Sequence, residues 1–159
     1  MRRSALALFA ALLLPVPAAG QTLMGRASVT DGDTLEIRGE RIRMAAIDAP
    51  ESRQHCLDGA GQSYACGRRA AMALADRIGV ATVRCEATGR DRFGRLVAEC
   101  FAGSTNLNAW MVESGWAVPL IRFGGRKYES YQDRARAARR GMWQGQFELP
   151  EDFRRRARN

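Results

Sequence analysis

Four carboxylates stand in two short runs, Asp31-Gly32-Asp33-Thr34 and Ile47-Asp48-Ala49-Pro50-Glu51, with Arg43 between them and Arg95 further on. Two carboxylates brought close together repel unless a cation lies between them, and a hard ion such as calcium takes its ligands from carboxylates, backbone carbonyls and water. Pro50 ends the strand pattern and delivers Glu51 beside them. Arg43 and Arg95 add forked guanidinium donors suited to phosphate oxygens. Asp-Gly-Asp is equally the sequence of a turn in which an Asp side chain bonds its own backbone. It also lacks the spacing of the EF-hand loop. On this fragment alone, both readings stand.

The elements that must position these groups follow from periodicity. Alternating apolar and polar residues over 28–37 and 41–47 predict two strands. Gly39-Glu40 between them suits a two-residue hairpin turn. Counting back from it pairs Ile37 with Ile42, Leu35 with Met44 and Asp33 with Ala46. Asp48 then lies two residues along the same face, a diagonal of about 7–8 Å. The same count sets Arg43 opposite Glu36, on the face away from Asp33, so a bulge or strong twist is needed to bring it to the acids.

A helix is expected over 67–78, then a second hairpin, 81–86 and 95–102, closed by Asp91-Arg92-Phe93-Gly94 as a type I turn. That register sets Cys85 opposite Cys100, near disulfide distance. Cys56 and Cys66 then pair by elimination; zinc is the competing use, but no Cys-x-x-Cys exists and His55 is the only histidine. Two more helices are expected, 107–114 and 128–140, each ending at a glycine. Beyond them Trp143, Phe147 and Phe153 pack the end of the chain, leaving Arg154, Arg155, Arg156 and Arg158 exposed or frayed.

The chain of 159 residues carries a formal charge of +8, and Lys127 is its only lysine. A basic surface of this kind fits a polyanionic partner, although charge alone suits nucleic acid, a membrane or a cell wall. Arg2 and Arg3, an apolar run over 5–14, and Ala18, Ala19 and Gly20 have the order of a secretory signal peptide, cleaved after Gly20. Residues 21–159 then form one domain with an Arg-rich tail at 154–159. It is expected in the periplasm or secreted, without a membrane anchor, where disulfides are the default.

Three separated motifs in one order carry a resemblance: Asp31 to Thr34; Ile42-Arg43-Met44 with Ile47 to Glu51; and Asp91 to Arg95. Together with the closing pattern Gly115-Trp116-Ala117, 135–140 and Gly141-Met142-Trp143, the chain resembles the staphylococcal nuclease (thermonuclease) family over nearly all of residues 21–159. The resemblance implies an α+β, β-rich fold, a five-stranded OB-type β-barrel with three α-helices, and calcium-dependent hydrolysis of phosphodiester bonds in DNA or RNA, as an endonuclease.

By position, Asp33 and Asp48 match the family's calcium carboxylates and Ala49 a backbone-carbonyl ligand. Glu51 matches the residue that activates or positions water, and Arg43 and Arg95 the two phosphate-binding arginines. Arg92, Phe93 and Phe123 are the expected nucleic-acid contacts. Phe93 stands where the family commonly has tyrosine, and Ile121 and Phe123 where tyrosines line its nucleotide pocket. Stacking survives that change, whereas hydroxyl contacts do not. A monomer acting preferentially on single strands is expected. The alternative is a non-catalytic OB-type module that binds single-stranded nucleic acid, which would use the arginines but has little need of three acids beside a phosphate.

Overall fold

The computed structural model describes residues 20–158. The expected signal segment therefore lies outside the described residues, apart from Gly20. Among those residues no helix is long and apolar enough to cross a membrane.

The chain begins with β1 (Thr22–Gly25) and β2 (Ala27–Asp31), followed by β3 (Thr34–Ile37), β4 (Glu40–Met44) and the short β5 (Ile47–Asp48). A small ladder of β6 (Cys56–Leu57) with β7 (Ser63–Tyr64) leads into α1 (Cys66–Ile78). Then come β8 (Val83–Arg90), β9 (Leu96–Ala102), β10 (Thr105–Asn106), α2 (Leu107–Glu113), β11 (Val118–Pro119), α3 (Glu129–Ala137) and α4 (Pro150–Arg156).

The main sheet runs β1-β8-β9-β4-β3-β2, with β10 folded back on β9. Only the β4 and β9 pairing in it is parallel. The α+β, β-rich class is as expected; where a five-stranded OB-type β-barrel is expected, the ladders among the described residues trace a seven-stranded mixed sheet without a closed barrel. Its two edges come from one extended stretch interrupted at Arg26, each half pairing with a different neighbour.

The α-helices among the described residues number four rather than three. The additional one, α4, has Pro150 at its start, Glu151 and Asp152 in its first turn and Arg154, Arg155 and Arg156 in its last. That charge order complements the helix dipole and makes a helix of what reads as a basic tail.

Strand alternation builds the core. Leu35, Ile37, Ile42, Met44, Val83, Leu96 and Ala98 point inward and are buried. Ala70, Leu74 and Ile78, four residues apart on α1, close over them with Leu107, Met111 and Val112 of α2.

The first hairpin turns at Arg38-Gly39, both at positive φ (54° and 81°), as a two-residue turn that matches strand twist requires. Its register is therefore Ile37 with Glu40, Leu35 with Ile42 and Thr34 with Arg43, two residues from the expected pairing. A shift of two keeps every side chain on its face. Arg43 faces Thr34 rather than Glu36, and Asp33 lies in the turn before β3, where strand parity does not constrain it.

In the second hairpin two deviations cancel. The Asp91 amide donates to Arg95 O at 2.9 Å, so the loop is one residue longer than expected. A register shift between Ala87 and Gly89 takes that residue back. Cys85 consequently pairs with Cys100 as expected, and both expected disulfides, Cys56–Cys66 and Cys85–Cys100, are present.

Candidate active site

Arg43 and Arg95 reach one face of the sheet because β4 and β9 run parallel, Ile42 beside Leu96 and Arg43 beside Val97. Ile42 and Leu96 point into the core, which turns Arg41, Arg43, Arg95 and Val97 to the opposite side. There they line a cavity of about 790 Å³ together with Asp31, Asp33, Ala49 and Glu51. Arg92, Phe93 and Phe123 stand at its margin, and the two phenylalanines are largely exposed. The cavity thus gathers every expected site residue except Asp48, which lies beneath its wall at 1% exposure.

The backbone around the acids is tightly determined. Asp33 O accepts from Met44 N at 2.8 Å, and Asp33 Oδ2 accepts from Ala49 N at 2.8 Å, locking the turn onto the strand that leaves the hairpin. Gly32 is needed there, since a Cβ would come within 2.7 Å of Ala49 Cβ and 2.9 Å of Ala70 Cβ. Between β4 and β5 the chain is redirected at Ala46, a non-glycine residue at φ 64°. Buried Asn108 secures this corner: its Nδ2 donates to Ala45 O at 2.9 Å and Ala98 O at 3.2 Å, and its Oδ1 accepts from Cys100 N at 3.0 Å.

Asp48 is held on the other side by β11, opposite Val118. Glu51 sits in a loop packed so closely on α1 that a Cβ at Gly67 would overlap its carbonyl. Fully buried Gln54 accepts from Glu51 N and donates to Glu148 O at 2.7 Å, tying this loop to the segment before α4.

The charges are concentrated and paired. Arg43 forms ion pairs with both Asp33 and Asp48, the second at 3.0 Å. Burial alone would lower the Arg43 pKa, but those two carboxylates hold it above its ordinary value. Burial, with the neighbouring Asp33 charge, keeps the Asp48 carboxyl above its usual range against the pull of Arg154 and Arg43. Asp31 is pushed up to about 6 by burial and by the adjacent Asp33 carboxylate.

Arg95 is organised separately. Its Nε donates to Asp91 Oδ2 at 2.8 Å and its Nη2 forms an ion pair with the same oxygen at 2.8 Å, while Asp91 Oδ1 accepts the amides of Phe93 and Arg95. The Arg95 guanidinium also lies 5.6 Å from the Phe93 ring centre.

Sequence reasoning missed Arg154. The sequence leaves it in an exposed or frayed tail, whereas α4 carries it into the site, where it donates to both oxygens of Asp48 at 2.8–2.9 Å and to Glu51 Oε1 at 2.7 Å. The only signal for this was the helix-capping charge order after Pro150, because contacts spanning so many residues leave no periodicity.

Among the described residues no three acidic, histidine or cysteine side chains form a ready coordination sphere. The donor chemistry nevertheless suits a hard cation. Asp33 and Asp48 are close enough to share one guanidinium, and Ala49 adjoins Asp33. The oxygens such an ion would take at Asp48 are those that Arg154 and Arg43 now occupy.

The chain is similar to several known proteins. The chain is 43% identical over 145 residues to the succinoglycan biosynthesis protein ExoI of Rhizobium meliloti, covering 89% of this chain and 76% of that one. It is 31% identical over 166 residues to a micrococcal nuclease of Shigella flexneri, covering 93% and 89% respectively. Against a probable staphylococcal-like nuclease of Oryza sativa the identity is 32%, over 94% of this chain but only 37% of the longer relative. The family model described as staphylococcal nuclease homologue matches residues 41–145, which covers β4, the Glu51 loop and the hairpin bearing Arg95, and the chain belongs to that family.

Proposed function

We propose that the protein is a metal-dependent nuclease that hydrolyses phosphodiester bonds in DNA or RNA, acting outside the cytoplasm after loss of a signal peptide. The observation that carries this is the convergence of Arg43, Arg95 and Glu51 on one cavity from three separate segments. Two guanidiniums aimed into a common space suit the oxygens of a phosphodiester, whose transition state gathers negative charge. Arg43 and Arg95 bind and orient the phosphate. Glu51 orients an attacking water or accepts its proton; the water oxygen bonds to phosphorus, the bond to the leaving oxygen breaks, and that oxygen ends protonated.

Asp33, Asp48 and the Ala49 carbonyl would hold calcium, which supplies positive charge to the phosphate and a template for it. Phe93 and Phe123 give exposed aromatic faces for unpaired bases, with Arg92 and Arg122 stacked over them at 4.8 and 5.2 Å. That arrangement favours single strands. The relatives named as nucleases support the same chemistry. The name of the Rhizobium meliloti relative points to polysaccharide synthesis, but two guanidiniums set beside carboxylates suited to a hard cation are better matched to a phosphodiester than to a succinylated glycan.

The test is incubation of the purified protein with single- and double-stranded DNA and RNA, with calcium or with excess chelator. Cleavage with calcium and its loss in chelator are expected. Binding without cleavage under every condition would instead establish a non-catalytic binding module.

A further inference from the structure

Arg154 lies beyond residues 41–145, the span that the family model matches, yet it makes three hydrogen bonds to the acids of the candidate site. Both Asp48 oxygens and one Glu51 oxygen receive its donors, an arrangement in which a guanidinium sits where positive charge is required. Its pKa is held above the ordinary value: burial opposes this, but the hydrogen bonds it donates to Asp48 and Glu51 prevail.

The helix bearing it is not loosely placed. Gln54 anchors the preceding segment through Glu148 O, Arg122 pairs with Glu151 at 2.6 Å, and Arg156 pairs with Glu148. Arg155, one residue along, pairs among the described residues with Asp152 of its own helix. Within α4, the approach to Asp48 and Glu51 is therefore made by Arg154, beside the contact that Arg43 makes with Asp48 from β4.

We propose that Arg154 is a tethered cation that occupies the Asp48 and Glu51 side of the site and must swing away before a divalent ion binds there, so that it sets the metal affinity of the enzyme. This rests on the reading of Asp33 and Asp48 as metal carboxylates. A guanidinium and a divalent ion cannot both take the same Asp48 lone pairs. The apparent metal affinity is then the intrinsic affinity reduced by the fraction of molecules with Arg154 withdrawn.

Isothermal titration of calcium chloride into the full chain, without nucleic acid, tests this. Arg154→Ala and Arg154→Gln should bind calcium roughly 10- to 100-fold more tightly than wild type, the scale expected for losing charge-assisted hydrogen bonds. Arg155→Ala removes an equal charge that does not touch Asp48 and should change the affinity by less than about twofold, because screening weakens distant charges. In wild type, calcium should also abolish the guanidinium NMR signature of the Arg154 contacts, a readout that needs no variant to fold.

Equal affinity in wild type and both Arg154 variants, or an equal gain in Arg155→Ala, would overturn the tethered-cation role while leaving the metal reading intact. No calcium binding by any of the proteins would overturn both.

Discussion

Arg43 and Arg95 are assigned the same duty toward phosphate, but their surroundings predict opposite consequences for folding when each is replaced by alanine. The Arg43 side chain is 15% exposed and lies against Asp33 and Asp48, themselves 9% and 1% exposed. Removing one member of a buried ion pair leaves uncompensated charge and costs about 3–5 kcal/mol. Arg154 still covers Asp48, so the lower end applies, about 3 kcal/mol. For a chain of this size that corresponds to a fall in Tm of roughly 10 °C. Arg95 instead pairs with a half-buried Asp91 four residues away, and Asp91 keeps two backbone amides without it. Its loss should cost no more than about 1 kcal/mol. Thermal unfolding in chelator, followed by the same scan in calcium, separates the two. Arg43→Ala should melt well below wild type and recover in calcium, because a bound cation replaces the missing charge and ligand binding stabilises the folded state. Arg95→Ala should melt close to wild type in both. Each should lose at least roughly 10²-fold in turnover. If the two variants melt within experimental error of each other and calcium moves neither, the account of Arg43 as the counter-charge of the two acids is wrong.

Glu51→Gln keeps the hydrogen bonds of the loop backbone and removes the base, so turnover should fall by about 10²- to 10⁴-fold with oligonucleotide affinity largely retained, as measured by single-turnover cleavage and fluorescence anisotropy. Burial alone would raise Asp91, but its hydrogen bonds from Arg95 and from the Phe93 and Arg95 amides hold it below the ordinary carboxylate range. Its contribution to the turn is therefore present above pH about 4 and is lost as pH falls through the depressed value. An NMR titration should show the Phe93 and Arg95 amides losing protection only on strong acidification, and Asp91→Asn should remove that dependence. Replacing Cys56 and Cys66 together by serine opens the loop they close and should lower stability by about 2–4 kcal/mol in urea denaturation, with the Cys85–Cys100 bridge unaffected.

Local patterns made much of this molecule legible. Alternation exposed the two hairpins, and the Ala- and Leu-rich stretch exposed α1, because burial of one face imposes a period on the residue types. The Cys85–Cys100 pairing is legible although the turn is one residue longer than its sequence suggests, since the register shift near Thr88 returns the residue that the longer loop consumes. At the first hairpin the turn was displaced to Arg38-Gly39, a pair in which an arginine takes a conformation usually left to glycine or asparagine. Nothing in residue type announces that. The acids and Arg43 read as a group in the sequence, but Arg43 needs no bulge or twist of its own strand to meet Asp33, because Asp33 lies off the strand. Asn108, Gln54 and Arg154 were out of reach for a different reason: each acts through side-chain bonds to residues distant along the chain, for which local periodicity has no term.

The parallel ladder between β4 and β9 has a consequence for how such a site can vary. The separation of Arg43 and Arg95 is set by neighbouring strands lying side by side, and the connecting chain between Met44 and Leu96 does not span that gap. Loops of that connection beyond Glu51 and before Asp91 can lengthen, shorten or acquire a disulfide such as Cys56–Cys66 without altering the jaw that the two arginines form. Divergence can therefore accumulate in the connecting segments that lie outside 45–51 and 91–95, remodelling what reaches the site from outside, while the spacing of the two arginines is kept.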